Sequence, residues 1–382
     1  MPRHILVSAG EASGDLYAAL LVEELRRIWP DARYFGCTGP RMRRAGVETT
    51  VDAASLAVVG LVEVVSHIPR IYGEYCKLLA AARATRPEFA ILTDAPDFHL
   101  RLARKLHHQG IPVIYLVAPQ AWAWRSNRLT AMRRNLRHVL CIFPFEEEFF
   151  RGHRVPATYI GHPLAGLVKP ALSRAEFFRK HRLPVGRPLI SVLPGSRRGE
   201  AARHLPPLLD AVERLYRDQA ASFILPASAT AGAGFFRERI GGAPIQVIDG
   251  ESWDAIAHAD LALAASGTVT VEAALLGTPM VTFYKVTAAS WLMGRMLVRV
   301  PFYSMVNLIA GRAVVPELMQ SQMTGARLAA EAQRLLRDDT ARCQMRADLA
   351  EVAAKLSGRG QPMARASAII QDLMEGQPAH VS

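Results

Sequence analysis

Cysteine, lysine and long apolar runs are scarce in this sequence. The four cysteines, Cys37, Cys76, Cys141 and Cys343, stand far apart and without CxxC spacing, which argues against a zinc site and against a disulfide framework. No run of ~18 uncharged apolar residues occurs, so no membrane-spanning helix is expected. The first apolar run is shorter than the core of about 7 to 15 residues in a signal peptide. We therefore expect a cytoplasmic protein.

Acidic residues are also in deficit. The chain has 46 Lys and Arg against 34 Asp and Glu, a net charge of +12, and only six of the basic residues are lysine. An excess of guanidinium groups favours anionic partners. Half of the 382 residues are hydrophobic and 21% are charged, which excludes wholesale disorder and indicates a globular protein of two or three domains.

Short apolar runs alternate with helix-length segments, and the alternation occurs twice. Buried strands of a parallel sheet read as continuous apolar runs, and helices cover the sheet between them. The sequence predicts an α/β fold with two Rossmann-like, doubly wound domains, at residues 1–165 and 166–340, and a helical tail at 341–382 that packs back across them. The predicted strands are His4–Ser8, Phe89–Leu92, Val113–Val117 and Val139–Phe143, then Leu189–Leu193, Ser222–Leu225, Gln246–Ile248, Leu261–Ala264 and Met280–Phe283.

The segment Ala9–Asp15 (AGEASGD) follows the first predicted strand and opens a helix. Its two glycines allow a tight turn and close approach of the backbone, and a helix N-terminus attracts anions. The segment predicts either a ligand site or an ordinary strand-to-helix turn. It matches neither G-x-G-x-x-G nor G-x-x-x-x-G-K-[ST], which disfavours a nicotinamide enzyme and a nucleoside triphosphatase.

Two carboxylates and a histidine, Asp94, Asp97 and His99, follow the strand Phe89–Leu92. Ligands of open α/β folds bind at the carboxyl edge of the sheet, and an Asp held there by rigid scaffold is a candidate general base for a hydroxyl. Asp97 is that candidate. Its alternative role is to cap the helix predicted to begin near Phe98.

Two tryptophans and a basic stretch follow the next strand. Trp122, Trp124 and Arg125 suit stacking or anion contacts near a ligand, although core packing of the indoles is an equal alternative. The stretch Arg125–Arg137 contains five arginines and no acidic residue. It predicts either contact with anionic lipid headgroups or a solvated helix face.

The second half repeats the strand-loop-helix pattern with more cationic loops. Pro194–Arg197 (PGSR) suits a diphosphate, because backbone N–H groups and the Arg197 guanidinium donate to a departing phosphate; surface arginines after a turn are the alternative. Ser266, Gly267 and Thr268 open a later helix that carries Glu272. This carboxylate suits the hydroxyls of a ribose, or else only stabilises the helix dipole.

Taken together and in order, these segments resemble the lipid-A-disaccharide synthases, the inverting glycosyltransferases of family 19 with the B-type fold. The resemblance covers nearly the whole chain to about residue 320. The matching segments are Ala9–Asp15, Gly39–Met42 (GPRM), Gly60–Val64 (GLVEV), Asp94–Phe98 (DAPDF), Trp122–Arg125 (WAWR), Phe143–Glu146 (FPFE), Gly161-His162, Pro194–Arg197, Ala265–Thr268 (ASGT) and Asn307–Arg312 (NLIAGR).

The resemblance implies two domains that face each other across a cleft and a step of lipid A biosynthesis. In that step 2,3-diacylglucosamine passes from its UDP derivative to 2,3-diacylglucosamine 1-phosphate, which gives the β-1,6-linked lipid A disaccharide 1-phosphate and UDP. It further implies no metal and no cofactor, a peripheral location on the inner face of the inner membrane, and a homodimer that exchanges C-terminal segments.

The resemblance also assigns roles to matching positions. Asp97 is the implied base on the acceptor 6-hydroxyl, Arg197 lies near the diphosphate and Glu272 binds the ribose. Further implied contacts to substrate or UDP are Glu11, Ser13, Ser266, Gly267, Thr268 and Asn307, and implied contacts to acceptor or lipid are Val59, Leu61, Val62, Trp122, Trp124 and Arg125. The chain departs from the usual pattern at His99, where the family has Asn, and at Val306, where it has Pro.

Acylated substrates give the apolar run Leu56–Val65 a possible function. With Arg125–Arg137 it predicts an interfacial patch that takes acyl chains or docks on a membrane; the alternative is a buried core plus a solvated face.

Rival functions are another sugar-nucleotide enzyme of the same fold, such as a UDP-N-acetylglucosamine 2-epimerase or the muramyl-peptide transferase, and an RNA-binding protein. The RNA-binding alternative is weak, because no aromatic RNA-binding pattern occurs, so no nucleic-acid partner is expected.

Overall fold

Two parallel β-sheets form the framework of the protein. The computed structural model describes residues 3–56, 61–122, 128–219, 221–287, 291, 300–358 and 360–376. The first sheet contains β1 His4–Ala9, β2 Arg33–Thr38, β3 Glu48–Asp52, β4 Phe89–Thr93, β5 Val113–Leu116, β6 His138–Cys141 and β7 Ala157–Tyr159. The second contains β8 Leu189–Leu193, β9 Ser222–Ala227, β10 Ile245–Asp249, β11 Leu261–Ala265, β12 Met280–Tyr284 and β13 Glu317–Met319.

Helices connect these strands, as parallel pairing requires. Those beside the first sheet are α1 Ala12–Ile28, α2 Pro40–Arg44, α3 Leu61–Thr85, α4 Pro96–His108, α5 Arg128–Asn135 and α6 Pro144–Gly152. Those that follow are α7 Arg174–Lys180, α8 Arg198–Gln219, α9 Ala233–Ile240, α10 Ser252–Ala257, α11 Thr268–Leu275, α12 Met305–Ala310, α13 Gly325–Arg337, α14 Asp339–Ser357 and α15 Pro362–Glu375. Short 3-10 helices lie at Ala53–Ser55, Pro163–Gly166 and Gln320–Gln322.

Both sheets have the doubly wound strand order. The first runs β3-β2-β1-β4-β5-β6-β7 and the second β10-β9-β8-β11-β12-β13, and every pairing is parallel. The order reverses between β1 and β4, and again between β8 and β11. Loops at such reversals diverge to opposite faces of the sheet and leave a ligand site at its carboxyl edge. The predicted fold of two Rossmann-like domains is confirmed.

The described strands include four that the sequence pattern did not predict. β7 and β13 have three residues each, too few for a pattern. β2 contains Gly36, and its pairing with β3 shifts register between Gly36 and Cys37, so its apolar run is interrupted. β3 (ETTVD) carries acidic residues at both ends.

The chain leaves the first unit and later returns to it. The first unit comprises the residues up to Pro163 together with those from Leu356 onward, and the second comprises Leu164–Lys355. The backbone N–H of His162 donates to the carbonyl of Leu356 at 2.7 Å, and α15 packs against α1. Of the predicted tail, α15 therefore belongs with the first unit, whereas most of α14 belongs with the second.

The N-terminal unit has its apolar core on the strands around the order reversal. Leu6 of β1, Leu92 of β4 and Tyr115 of β5 are completely buried in it. None of the described helices is both long and apolar enough to cross a bilayer.

Gly36 in β2 is expected to tolerate no side chain. A Cβ at this position would lie 2.0 Å from the carbonyl oxygen of Val7 in β1, and neither backbone can move without breaking the strand pairing. Gly36→Ala should lower the free energy of unfolding of the first unit by about 2–4 kcal/mol, measured by urea denaturation.

Gly73 provides the matched control, because a Cβ there would meet nothing within 4 Å on the exposed face of α3. Gly73→Ala should raise stability by about 0.5–1 kcal/mol. Equal stability of the two variants would contradict the described register of β1 and β2.

Candidate active site

The loops that follow β1 and β4 lie side by side at the carboxyl edge of the first sheet. The last residues of these strands, Ala9 and Thr93, are register partners. The polar segments Gly10-Glu11 and Asp94–Asp97 therefore begin next to each other, at the reversal of strand order. The structure brings together two segments that are more than 80 residues apart in the chain.

The Asp94 carboxylate fills the turn between β1 and α1. It accepts the backbone N–H groups of Gly10 at 2.7 Å and Glu11 at 3.0 Å. A Cβ on Gly14 would lie 1.7 Å from Asp94 Oδ2, so a glycine is required there. Burial raises the pKa of Asp94 to about 8, and the two backbone donors oppose the rise. Two N–H groups of the predicted anion site thus receive a carboxylate of the chain itself.

Asp15, the last residue of the AGEASGD segment, binds a different backbone turn. Its carboxylate accepts the N–H groups of Gly39 at 2.9 Å, Arg41 at 2.9 Å and Met42 at 3.0 Å. These donors open the short helix α2, whose N-terminal N–H groups have no partners within the helix. Asp15 is buried, so this contact is a structural cap.

His99 is buried beneath the Asp94–Asp97 turn. Burial lowers its pKa to about 4, so the imidazole is neutral. Its Nδ1 lies 3.0 Å from the carbonyl oxygen of Asp94 and its Nε2 2.7 Å from Ser8 Oγ. The consistent tautomer donates from Nδ1 and accepts the Ser8 hydroxyl at Nε2. The Tyr115 hydroxyl donates to the same Asp94 carbonyl at 2.5 Å.

Asp97 projects from the first turn of α4. Its side chain is 68% exposed, and its Oδ1 lies 2.6 Å from Nη2 of Arg128, whose side chain is 8% exposed. α4 begins at Pro96, with Ala95 as its N-cap, so the alternative role of Asp97 as a helix cap is wrong. The exposed carboxylate beside a buried guanidinium suits a base that accepts a proton from a ligand.

The structure divides the basic stretch Arg125–Arg137. Arg128 lies at the carboxyl edge beside Asp97, whereas Arg137 donates its backbone N–H to Val113, the first residue of β5, and so lies at the amino edge. Arg133 and Arg134 occupy the last turn of α5, and both are exposed. Over its described part, residues 128–137, the stretch is therefore not one continuous face.

Trp122 is held by a buried acid. Its indole N–H donates to Glu146 Oε1 at 3.0 Å, and the other oxygen of Glu146 accepts the N–H groups of Ile142 and Phe143. Burial raises the pKa of Glu146 to about 7, and these donors oppose the rise. Val59, Trp124, Arg125 and the side chains of Leu61 and Val62 lie outside the described residues.

The second sheet presents a different edge. Leu193 of β8 and Ala264 of β11 are register partners, so Pro194–Arg197 and Ser266–Thr268 emerge side by side at the second reversal of strand order. Within the described chain, the backbone N–H groups of Gly267 and Thr268 meet no acceptor. Arg197 is exposed immediately before α8. This edge offers donors and positive charge.

His204 fixes the PGSR loop, and no motif drew attention to it. It is buried on α8, its Nδ1 lies 2.8 Å from the carbonyl oxygen of Pro194, and its Nε2 accepts the N–H of Lys285 at 3.0 Å. Burial lowers the pKa of His204, which keeps Nε2 free to accept. The imidazole thus ties the loop after β8 to the end of β12.

Glu272 is held at one oxygen. The indole N–H of Trp253 donates to Glu272 Oε2 at 3.2 Å, and no other group of the described chain binds this carboxylate. Burial raises the pKa of Glu272 to about 7, and the indole opposes the rise. One oxygen therefore stays available to a ligand. The Ser266 hydroxyl, by contrast, donates to the carbonyl of Tyr303 at 2.9 Å.

Asn307 uses its full hydrogen-bonding capacity within the chain. Its amide nitrogen donates to the carbonyl of Val315 at 2.9 Å and to Glu317 Oε1 at 2.8 Å. Its oxygen accepts the N–H groups of Val314 at 2.7 Å and Val315 at 2.9 Å. These four bonds shape the loop after α12, and the implied contact of Asn307 with substrate stays a prediction.

Known proteins match over the full length of the chain. The family model of lipid-A-disaccharide synthetase matches residues 5–370. A lipid-A-disaccharide synthase of Solibacter usitatus is 72% identical over 382 residues, which cover all of both chains. The chain belongs to the lipid-A-disaccharide synthase family. Another synthase, of Koribacter versatilis, is 45% identical over 93% of this chain and 94% of its own.

Solved structures share the fold at low identity. The S. aureus MnaA–UDP co-structure has a TM-score of 0.67 at 12% identity, over the whole of both chains. MurG of Acinetobacter baumannii has a TM-score of 0.57 at 16% identity, over 97% of this chain and 100% of its own. Identity this low shows the fold alone. The matches to synthases favour a glycosyltransferase of lipid A biosynthesis over the alternatives of epimerase, muramyl-peptide transferase and RNA-binding protein.

Proposed function

We propose that this synthase transfers 2,3-diacylglucosamine from its UDP derivative to the 6-hydroxyl of 2,3-diacylglucosamine 1-phosphate. The products are the lipid A disaccharide 1-phosphate and UDP. The observation that carries the proposal is the opposite character of the two sheet edges. The first exposes a carboxylate, Asp97, suited to a hydroxyl, and the second offers unpartnered N–H groups with Arg197 and Glu272, suited to a nucleoside diphosphate.

The proposed chemistry is a single inverting displacement. Asp97 takes the proton of the acceptor 6-hydroxyl, and the oxygen forms a bond to the anomeric carbon from the face opposite the UDP. The bond between that carbon and the diphosphate oxygen breaks, and its electron pair leaves with UDP. One displacement inverts the anomeric centre. The geometry of a general base within reach of the hydroxyl is the essential requirement.

Arg197 and the N-terminus of α11 are proposed to stabilise the departing diphosphate. Negative charge develops there as the bond breaks, and preorganised donors stabilise such charge more than they stabilise the bound substrate. In this proposal arginine and backbone N–H groups take the place of a metal ion. Glu272, held by Trp253, accepts the ribose hydroxyls with its open oxygen.

Asp97→Asn tests the base. The amide keeps the shape of the side chain and its place beside Arg128, but it cannot accept a proton. Turnover should therefore fall about 10²- to 10⁴-fold, while UDP binds with unchanged affinity. The measurement is UDP release from the two purified lipids, with mass spectrometry of the product, beside calorimetric titration of UDP.

Asp31→Asn is the control for that variant. Asp31 is exposed and lies shortly before β2, at the amino edge of the sheet, so its amide should leave turnover at the wild-type value. Normal turnover by Asp97→Asn would remove Asp97 from the role of base. Absence of UDP release by the wild-type protein would overturn the proposed reaction itself.

Trp253→Phe tests the ribose contact through pH. Loss of the indole donor raises the pKa of Glu272 further above about 7, so less of the carboxylate is ionised near neutral pH. UDP affinity should fall about fivefold at pH 7, the size of one lost hydrogen bond. The difference in UDP affinity between variant and wild type should be smaller at pH 8.5, because Glu272 is then ionised in both proteins. Calorimetry at both pH values measures it.

Trp29→Phe is the matched control, because Trp29 donates its indole N–H to Glu375 at 3.4 Å in the first unit. It should leave UDP affinity unchanged at both pH values. If Trp253→Phe lost the same UDP affinity at pH 7 and at pH 8.5, ionisation of Glu272 would not govern binding of the ribose.

We also propose that the middle of α3, Arg70–Tyr75, docks on a membrane. The substrates carry acyl chains, and Tyr75 contacts Phe98, which follows the proposed base in the chain, with ring centroids 5.9 Å apart. Tyr72 is 65% exposed, stacks on Tyr75 with ring centroids 6.1 Å apart, and lies near exposed Arg70. An exposed aromatic beside a cation suits the headgroup region. The implied homodimer stays a prediction.

Co-sedimentation with vesicles tests this surface. The wild-type protein should pellet with vesicles that contain anionic lipid and much less with neutral ones, and Tyr72→Asp should weaken that binding severalfold. Val185→Asp is the control, because Val185 is 89% exposed in the second unit. Equal, negligible binding to both kinds of vesicle would end the proposal.

A further inference from the structure

Two loops of the first unit share a single point of attachment. The loop after β1 donates the N–H groups of Gly10 and Glu11 to the carboxylate of Asp94. The turn after β4 is held by the carbonyl of the same residue, which receives the Tyr115 hydroxyl and His99 Nδ1. Side chain and main chain of one residue thus hold separate segments.

Asp94 also sets the backbone path toward the proposed base. Its φ is +53° and that of Ala95 is +36°, left-handed conformations that are uncommon for residues with a side chain. Such conformations persist only where surrounding contacts determine them. The bonds to the Asp94 carbonyl lie at that point and direct the chain into α4, whose second residue is Asp97.

We propose that Asp94 is a positioning residue for the transfer reaction, because it fixes the Gly10-Glu11 loop and the Asp94–Asp97 turn in one rigid arrangement. The inference rests on the proposed function, because it presumes that Asp97 is the base. Asp94 itself does not touch substrate in this proposal. Its side chain is 12% exposed and turned onto the Gly10-Glu11 backbone.

Asp94→Asn is the decisive variant. The amide is isosteric but presents an NH₂ group to one of the two backbone donors, so one bond is lost and a repulsion replaces it. A small displacement of a reacting group lowers rate steeply, so kcat should fall about 10²-fold while the KM of each lipid changes less than about threefold. Hydrogen exchange should become faster at both Gly10-Glu11 and Asp94–Asp97.

Glu147→Gln is the matched control. Its carboxylate also accepts a backbone N–H, that of Tyr159 at 2.9 Å, but it does so at the edge strand β7, away from the two loops. This variant should lose stability without a change in kcat or in exchange at either loop. The inference would be overturned if Asp94→Asn kept a kcat within threefold of wild type and both loops exchanged hydrogen at the wild-type rate.

The pH profile supplies a readout that loss of stability does not mimic. Burial raises the pKa of Asp94 to about 8, and the carboxylate form accepts both N–H groups best, so kcat should rise with pH through about 8 in the wild type. Asp94→Asn should lack this limb. The titratable groups that face Asp94 are Glu11 from the loop after β1, Asp15 from α1, Cys37 from β2, His99 from α4 and Tyr115 from β5.

Tyr115→Phe carries the test if Asp94→Asn does not fold. It removes one donor to the Asp94 carbonyl and keeps the buried ring, so kcat should fall about 3- to 10-fold with KM retained; an unchanged kcat would overturn the inference. Wild-type protein without synthase activity would instead defeat the proposed function, and the exchange comparison would still decide whether Asp94 holds both loops.

Discussion

The first unit is organised by a buried carboxylate placed on unpaired backbone donors. Parallel strands that end at the same edge leave N–H groups of the following turns without partners. At the reversal of strand order between β1 and β4, the Asp94 carboxylate accepts two of these N–H groups. The carbonyl of Asp94 is itself hydrogen-bonded to His99 and Tyr115. Without this contact, the Gly10-Glu11 loop and the turn of Asp97 would have no common point of attachment.

The same physical device explains why the segments that resemble the family occur in pairs. Asp15 of AGEASGD caps the helix of GPRM, and Glu146 of FPFE binds the indole of WAWR. Gly161, with φ of +95°, lets the chain pass against the carbonyl of Ser357 on its return. In the first two pairs one member supplies a carboxylate and the other supplies N–H donors, from the backbone in GPRM and from an indole in WAWR, so each pair acts as one structural unit.

Much of the framework follows from the sequence, because the central strands of a parallel sheet are buried on both faces and read as apolar runs. That signal found β1, β4, β8 and β11, and with them the loops at both reversals. It failed at β2, where Gly36 and a register shift interrupt the run. The apolar runs also could not predict that Arg128 contacts Asp97 or that Trp253 contacts Glu272, because contacts between separate elements depend on strand order.

The two edges differ in the hydrogen-bond donors that they offer to a ligand. The first edge already contains the carboxylates of Asp94 and Asp97, and the one buried guanidinium described beside them, Arg128, is paired with Asp97. A diphosphate brought there would meet N–H groups that Asp94 already occupies. The second edge offers Arg197 and the N–H groups of Gly267 and Thr268, which meet no acceptor within the described chain. Burial raises the pKa of Glu272 to about 7, so its carboxyl is only partly ionised at neutral pH.

A hydroxyl has the opposite requirement. It needs an exposed base within hydrogen-bond reach of its proton. The carboxylate of Asp97 is exposed, and Arg128 binds its Oδ1 at 2.6 Å, which suits the proposed role. Two sheets with closely similar strand orders thus present different groups at their reversals, and the proposed function places the acceptor hydroxyl at the first edge and the diphosphate at the second.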